Sequence, residues 1–406
     1  MKTVIHISLF VALAAPAHAE DWPTYGHDNR RSHVTSEKLN LPLTRAWARI
    51  SPHPPQTAWT APARWDAFAG NEGLQSMRNF DPAFFVTAVG DRVYFGSSVD
   101  NAVHCLDAQT GKETWRAFAD SAVRLPPTIH DGHALFGSDD GLVYCVKADT
   151  GEKIWRFRPA EGETRLIPSN GKLISPWPVR TGVLVEPVTG AAYFGASLFP
   201  WEKSILAAVD YRSGKPRFVQ KQTSVTLQGA LLASRERLYV PQGRSAPLVF
   251  DKATGKRLAD VKGSGGVWCI LTASEELIAM PQNQKKKEDT VQLTNAQTRE
   301  SILAVAGANR MLAFGPTLIV HQRQSLKKID RQTKKSAWET RQPVPSALIL
   351  AGDTIFLGGN GIITAVHLET GEQTWTAGVE GRVYGLAVAN GRLLASTDHG
   401  HVICFE

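Results

Sequence analysis

Closely spaced cysteines are missing from this 406-residue chain: Cys105, Cys145, Cys269 and Cys404 lie far apart. That excludes a C-x-x-C redox or zinc site and a C-x-x-C-H haem attachment. Also missing is any apolar run of the roughly 20 residues needed to cross a bilayer, so no membrane anchor is expected. Nor does any stretch sustain apolar residues at i, i+3, i+4 and i+7 over helical length, which argues against an α-helical fold. Three further absences narrow the chemistry: there is no Gly-x-Ser-x-Gly elbow, no Walker loop and no G-x-G-x-x-G after a strand. The two close histidine pairs, His130/His133 and His399/His401, flank turns and read as exposed turn residues, so no metal site is expected.

Charge of one sign is also scarce. The formal net charge is +7, or +6 without Lys2, and the excess is spread along the chain. Nucleic-acid binding is therefore not expected. The one dense cluster, Lys285-Lys286-Lys287 followed by Glu288-Asp289, reads as a solvated hairpin loop. What is present is apolar material for a core, 43% of residues, punctuated by 34 Gly and 23 Pro. Such a composition is that of a folded domain, and a monomer is expected.

The first 19 residues differ from the rest. Lys2, an apolar run from Val4 to Ala15, and the small-x-small triplet Ala17-His18-Ala19 have the layout of a secretory signal peptide. The expectation is a mature protein, periplasmic or secreted, that begins near Glu20 after cleavage at Ala19.

A repeat dominates the remainder. "TGKETW" at 110–115 returns as "TGEKIW" at 150–155 and "TGEQTW" at 370–375, with weaker copies at Ser213-Gly214 with Phe218, Thr254-Gly255 with Leu258, Thr298-Arg299 with Leu303, and Thr333-Lys334 with Trp338. The period near 40 is that of a propeller blade. Hairpin turns at Asp131-Gly132, Gly352-Asp353 and Asn390-Gly391 split each unit into short strands. The expected fold is all-β, an eight-bladed β-propeller of four-stranded antiparallel blades. Where the copy is intact, a turn glycine (Gly111, Gly151, Gly214, Gly255, Gly371) takes positive φ, and an aromatic of the outer strand (Trp115, Trp155, Trp338, Trp375) wedges against the neighbour. The last unit, from Arg382 to Glu406, lacks its fourth strand, and 40–49 with Trp47 is expected to supply it and remove the open edge. The chain thus divides into a signal peptide (1–19), an N-terminal extension (20–39) and one propeller (40–406). Cys105, Cys145 and Cys404 share one strand position and read as small packing residues.

The "D-A-x-T-G-x-x-x-W" units, with Trp22-Pro-Thr-Tyr-Gly-His-Asp-Asn-Arg-Arg-Ser32, resemble the pyrroloquinoline quinone (PQQ)-type repeat family. That family includes quinoprotein alcohol dehydrogenases, the propeller lipoprotein of the outer-membrane β-barrel assembly machinery, and exported bacterial propellers. The resemblance runs from residue 22 to the end and implies the fold more than a chemistry. It implies PQQ with calcium as the cofactor of an enzymatic member. The vicinal Cys-Cys pair of those enzymes is absent here, their calcium ligands match no motif, and the lipid-accepting Cys of the assembly lipoprotein is missing too.

Propellers bind at the mouth of the central channel, on residues that enter the inner strands and on inserted loops. Two insertions, about 50–81 and 160–204, offer candidates: Arg78, Asn79 and Asp81 in the first, Trp177, Arg180, Trp201 and Glu202 in the second. The strand-entry positions add Arg124, Gln228, Trp268, Arg310 and Arg382. Converging arginines suit a small anionic ligand such as PQQ, or a protein partner. The leading expectation is a non-enzymatic binding or scaffold protein. The alternatives are a PQQ-dependent dehydrogenase oxidising an alcohol or sugar, with Asp81 or Glu202 as base, and a hydrolase or lyase built on the inserted loops.

Overall fold

Strands separated by tight turns can bury both faces only by stacking sheet on sheet, and the computed structural model shows how this is done. It describes residues 19–59, 80–243, 245–261, 268–279 and 290–406, plus the backbone of the short pairs Trp65–Asp66 and Asn71–Glu72. The signal-peptide reading of 1–18, the candidates Arg78 and Asn79, and the lysine run at 285–287 lie outside the described residues.

Eight four-stranded antiparallel units follow one another along the chain. Blade 1 comprises Val86–Val89, Arg92–Ser97, Ala102–Asp107 and Glu113–Phe118. Blades 2 to 6 repeat the pattern, starting on inner strands at Thr128–His130, Leu184–Glu186, Leu232–Ala233, Cys269–Leu271 and Ala308–Phe314. Blade 7 starts at Ala347–Ala351, and its outer strand runs without a break into blade 8 as Gln373–Ala389. The fourth strand of blade 8 is Arg45–Ile50, antiparallel to His401–Phe405. The protein is an all-β propeller.

All eight units share a β-bulge between the third and fourth strands, for example between Cys105 and Leu106, Cys145 and Val146, and Arg45 and Trp47. A bulge re-aims the next side chain, and here that residue points at the following blade. Trp47 lies on the turn of blade 1, where a Cβ at Gly111 would come within 2.6 Å of its ring. Trp115 covers Gly151, Trp155 covers Gly214, Phe218 covers Gly255, and Trp338 covers Gly371 in the same way. Glycine is required there twice over, by positive φ and by the ring. Each indole also donates its N–H to a carbonyl of the next blade: Trp47 to Ala108, Trp115 to Ala148, Trp155 to Tyr211, Trp338 to Leu368, and Trp375 to Leu43, at 2.8–3.1 Å.

One assignment changes. In blade 4 the register pairs Val249 with Ala259, as Cys105 pairs with Trp115. The wedge position is therefore Ala259, not Leu258, which falls at the bulge and is half exposed. The four cysteines are free and buried, and burial pushes the thiols of Cys145, Cys269 and Cys404 up to about 12. Cys105, Cys145 and Cys404 each sit opposite a wedge tryptophan, as buried packing residues.

Candidate functional site

A propeller's inner strands leave a channel, and the backbone groups along it need partners. At the end where the first two strands of each blade turn, residues 20–37 supply them. Trp22 exchanges both backbone hydrogen bonds with Ala88 of blade 1. The Pro23 carbonyl accepts from Ile129 of blade 2, and Asn29 donates through Nδ2 to Val185 of blade 3. The carbonyls of Asn29, Arg30 and His33 accept from Ala233, Leu271 and Leu350, in blades 4, 5 and 7. Val34–Thr35 adds a short parallel strand to Ala347–Ala351. Glu37 accepts from the Asn390 and Gly391 backbone of blade 8.

The hub of this cap is Arg31, 2% exposed. It donates to the carbonyls of Leu231, Tyr25 and Asp28 and to Thr24 Oγ1 at 2.7–3.2 Å. Tyr25 packs edge-on against Phe85 and His33. The His33 Nε2 atom is enclosed without a hydrogen-bond partner. That enclosure pushes its pKa down to about 3, with Arg310, Arg31 and His27 adding to the effect and Asp28 opposing it.

The opposite end, the mouth, is closed by charge. Arg124 donates from Nε to Asp139 Oδ2 (2.7 Å), and from NH1 to Asp81 Oδ2 (2.5 Å) and the Gln56 carbonyl (2.8 Å). Arg180 donates from Nε and NH2 to the two oxygens of Asp139, at 2.8 and 2.9 Å. Asp81 also accepts from the Ala58 backbone N–H at 3.0 Å. All four side chains are at least 90% buried. Burial pulls the Asp139 carboxyl toward its neutral form, but Arg124 and Arg180 outweigh it and hold the pKa down at about 2. The Arg180 guanidinium sits 5.6 Å from the Trp59 ring centroid. Trp59 in turn packs on the apolar plug of Ala58, Phe80, Phe85, Leu125 and Ala230.

The structure thus brings Asp81, Arg124 and Arg180 together, and adds the residue that sequence reasoning missed: Asp139. Nothing in its sequence neighbourhood marks it, and only the fold shows two arginines converging on it. A second group gathers on the other side. Arg310 lies over the Trp268 ring at 5.5 Å and donates to the Ser346 carbonyl, while Arg382 NH1 reaches Ser346 Oγ at 3.4 Å. Burial lowers the Arg310 pKa, with Tyr25 and Tyr384 opposing. Gln228 donates to the Ser197 carbonyl, and its Oε1 is buried without a partner.

The 160–204 insertion behaves differently. A hairpin, Ile167–Ser169 with Lys172–Ile174, stands on the mouth side, and Trp177 donates to the Lys203 carbonyl. Arg165 pairs with Glu202 at 3.7 Å. Trp201 is 72% exposed and stacked on Phe199 with centroids 4.8 Å apart. Leu166 and Leu173 of the same insertion are also exposed. Trp177, Arg180, Trp201 and Glu202 therefore form no single cluster: Arg180 belongs to the mouth, Trp201 to the surface.

Residues 56–340, well over half the chain, match the family model described as outer membrane protein assembly factor BamB. The chain belongs to this PQQ-repeat β-propeller family. No curated protein matches the sequence. Among solved structures, the computationally designed Ika8 protein is similar with a TM-score of 0.62 and 14% identity, over 80% of this chain and 96% of that one. A europium-containing methanol dehydrogenase follows at 0.59 and 12%, over 92% and 89%. Saccharomyces cerevisiae Sqt1 gives 0.57 and 12%, over 78% and 92%. At such identities these likenesses establish the fold alone.

Among the described residues, the mouth of this family member is a poor match for the quinone the family name implies. A tricarboxylate needs cationic groups without a counter-ion, yet Arg124 is already paired with Asp139 and Asp81, and Arg180 with Asp139. Two arginines and two aspartates also make the cluster neutral, so another buried carboxylate there would lack a counter-charge. No group of three or more His, Cys, Asp or Glu side chains is placed to hold a metal ion among the described residues. No helix among them is long and apolar enough to cross a membrane.

Proposed function

We propose that the chain is an exported, non-catalytic binding scaffold that engages a protein partner through the surface the 160–204 insertion builds beside the channel mouth. One observation carries the reading: Trp201 stands 72% exposed on a Phe199 support, while both ends of the channel are filled by the protein's own residues. Exposed aromatics on a rigid base are what binding hot spots use. The expected leader at 1–19 supplies the export step. Family membership supports a protein partner, since the matched model is described as an assembly factor.

Asp81 and Glu202 do not act as bases in this reading, because Arg124 and Arg165 respectively hold them. Titration with PQQ, with and without calcium, is expected to give no saturable heat. Saturable binding that is lost on Arg180→Ala would restore the dehydrogenase reading.

The direct test places a photo-crosslinking amino acid at 201 and, as a control, at Val188, 92% exposed in a strand-turn of blade 3. A discrete adduct from 201 only, competed by unmodified protein but not by its Trp201→Ser variant, is expected. The same adducts from both positions, or none from 201, would sink the proposal.

A further inference from the structure

Six seams between blades are filled by an aromatic ring, and two are not. Blade 4 presents Ala259 to the turn at Arg299, and blade 5 presents Leu303 to the turn at Lys334. The turns themselves survive: Arg299 and Lys334 adopt φ of 66° and 57°, and their N–H groups bond the carbonyls of Asn295 and Asp330 as Gly111 does that of Asp107. What is lost is the filler. At the seam between blades 5 and 6 a groove of about 320 Å³ remains, floored by Leu293, Ile302, Leu303 and Leu318 and rimmed by Pro316 and Lys334. Arg331 and Glu276 pair across one wall. The Arg331 carbonyl holds the position that accepts the indole N–H in neighbouring seams.

We propose that this groove docks an extended segment of a partner protein, which inserts one phenylalanine-sized side chain with carboxylates beside it. Two observations select that occupant. The equivalent space elsewhere in the molecule is taken by aromatic side chains, the phenyl ring of Phe218 among them, so an aromatic group of that size is its natural filler. The rim is cationic: Lys334 lines the groove, and it and its chain neighbour Lys335 are exposed and meet no carboxylate within ion-pair distance among the described residues. Carboxylates flanking the inserted ring would complement them. The groove lies with the Thr-Gly turns, on the face away from the mouth, so this partner contact is separate from the Trp201 surface.

The probe is a capped pentapeptide with a central phenylalanine flanked by two aspartates, titrated into the full-length mature protein and followed by NMR or calorimetry. Saturable binding that weakens with salt is expected. Leu303→Trp with Lys334→Gly rebuilds the seam as the other blades have it; this pair should weaken the peptide at least about tenfold, with a melting temperature at or above the parent's. Should that pair fail to fold, Lys334→Glu with Lys335→Glu, at exposed positions, should give a similar loss. No saturation by the peptide, or binding within about twofold of the parent in a folded variant, would overturn the proposal.

Discussion

The two ends of the channel are closed by different physics. Residues 20–37 seal one end through backbone hydrogen bonds to the inner strands of most blades, with Arg31 and Trp22 buried beneath. The mouth is sealed by four charged side chains that are brought from distant parts of the sequence and neutralise one another, with the Gln56 carbonyl and the Ala58 N–H completing their hydrogen bonds. A contiguous cap is robust to the loss of one group, because its bonds are many and spread over most blades. A buried ion cluster is not, since removing one member strands the others.

The largest effect should come from the cap. Deleting residues 20–37 exposes inner-strand backbone groups and the apolar surface under Trp22, and should cost more than about 5 kcal/mol in chemical denaturation. A loss below that of a single mouth variant would reverse the comparison. Next comes Asp139→Ala, which leaves Arg124 and Arg180 buried without a counter-charge and should cost about 3–5 kcal/mol. An Asp139→Ala protein as stable as the parent would mean that the mouth does not depend on the cluster.

Acid separates the two ends. The His33 pKa is depressed in the folded state, so its contribution is complete above its ordinary value near 6.5 and is lost as pH falls from there toward 3. Asp139 is depressed as well, but its contribution is lost only as pH falls below about 4 toward 2. Comparing parent with His33→Phe should therefore reveal a slope near 1.4 kcal/mol per pH unit at pH 4–6. Comparing it with Asp139→Asn should reveal none there. Equal slopes in both comparisons would refute the assignment. The smallest effect is expected at the surface: Trp201→Ser should change stability by less than about 0.5 kcal/mol, and a larger loss would mark the Trp201–Phe199 stack as structural.

The blades were legible because a Thr-Gly turn and an aromatic recur at fixed spacing, and the N-terminal strand's place in blade 8 followed from counting strands. Blade 4 was misread by one residue, because a bulge shifts the register and both Leu258 and Ala259 are apolar. The cap was not legible: its partners are main-chain groups, and its residues 20–37 show neither period. At the mouth, Arg124, Arg180 and Asp81 were singled out as chemistry-bearing residues, but their mutual neutralisation depends on Asp139, which lies 15 residues from one arginine and 41 from the other.

The pairing of Arg45–Ile50 with His401–Phe405 also sets an order of events. The first strand of the ring to be synthesised finds its hydrogen-bonding partner only in the last, some 350 residues later. Until then both edges stay open and the cap has no complete rim to sit on. Contacts of such long range slow folding, so newly made chains spend an interval with pairing-competent edges exposed. A protein built this way depends on being kept apart from its own copies until the final strand arrives.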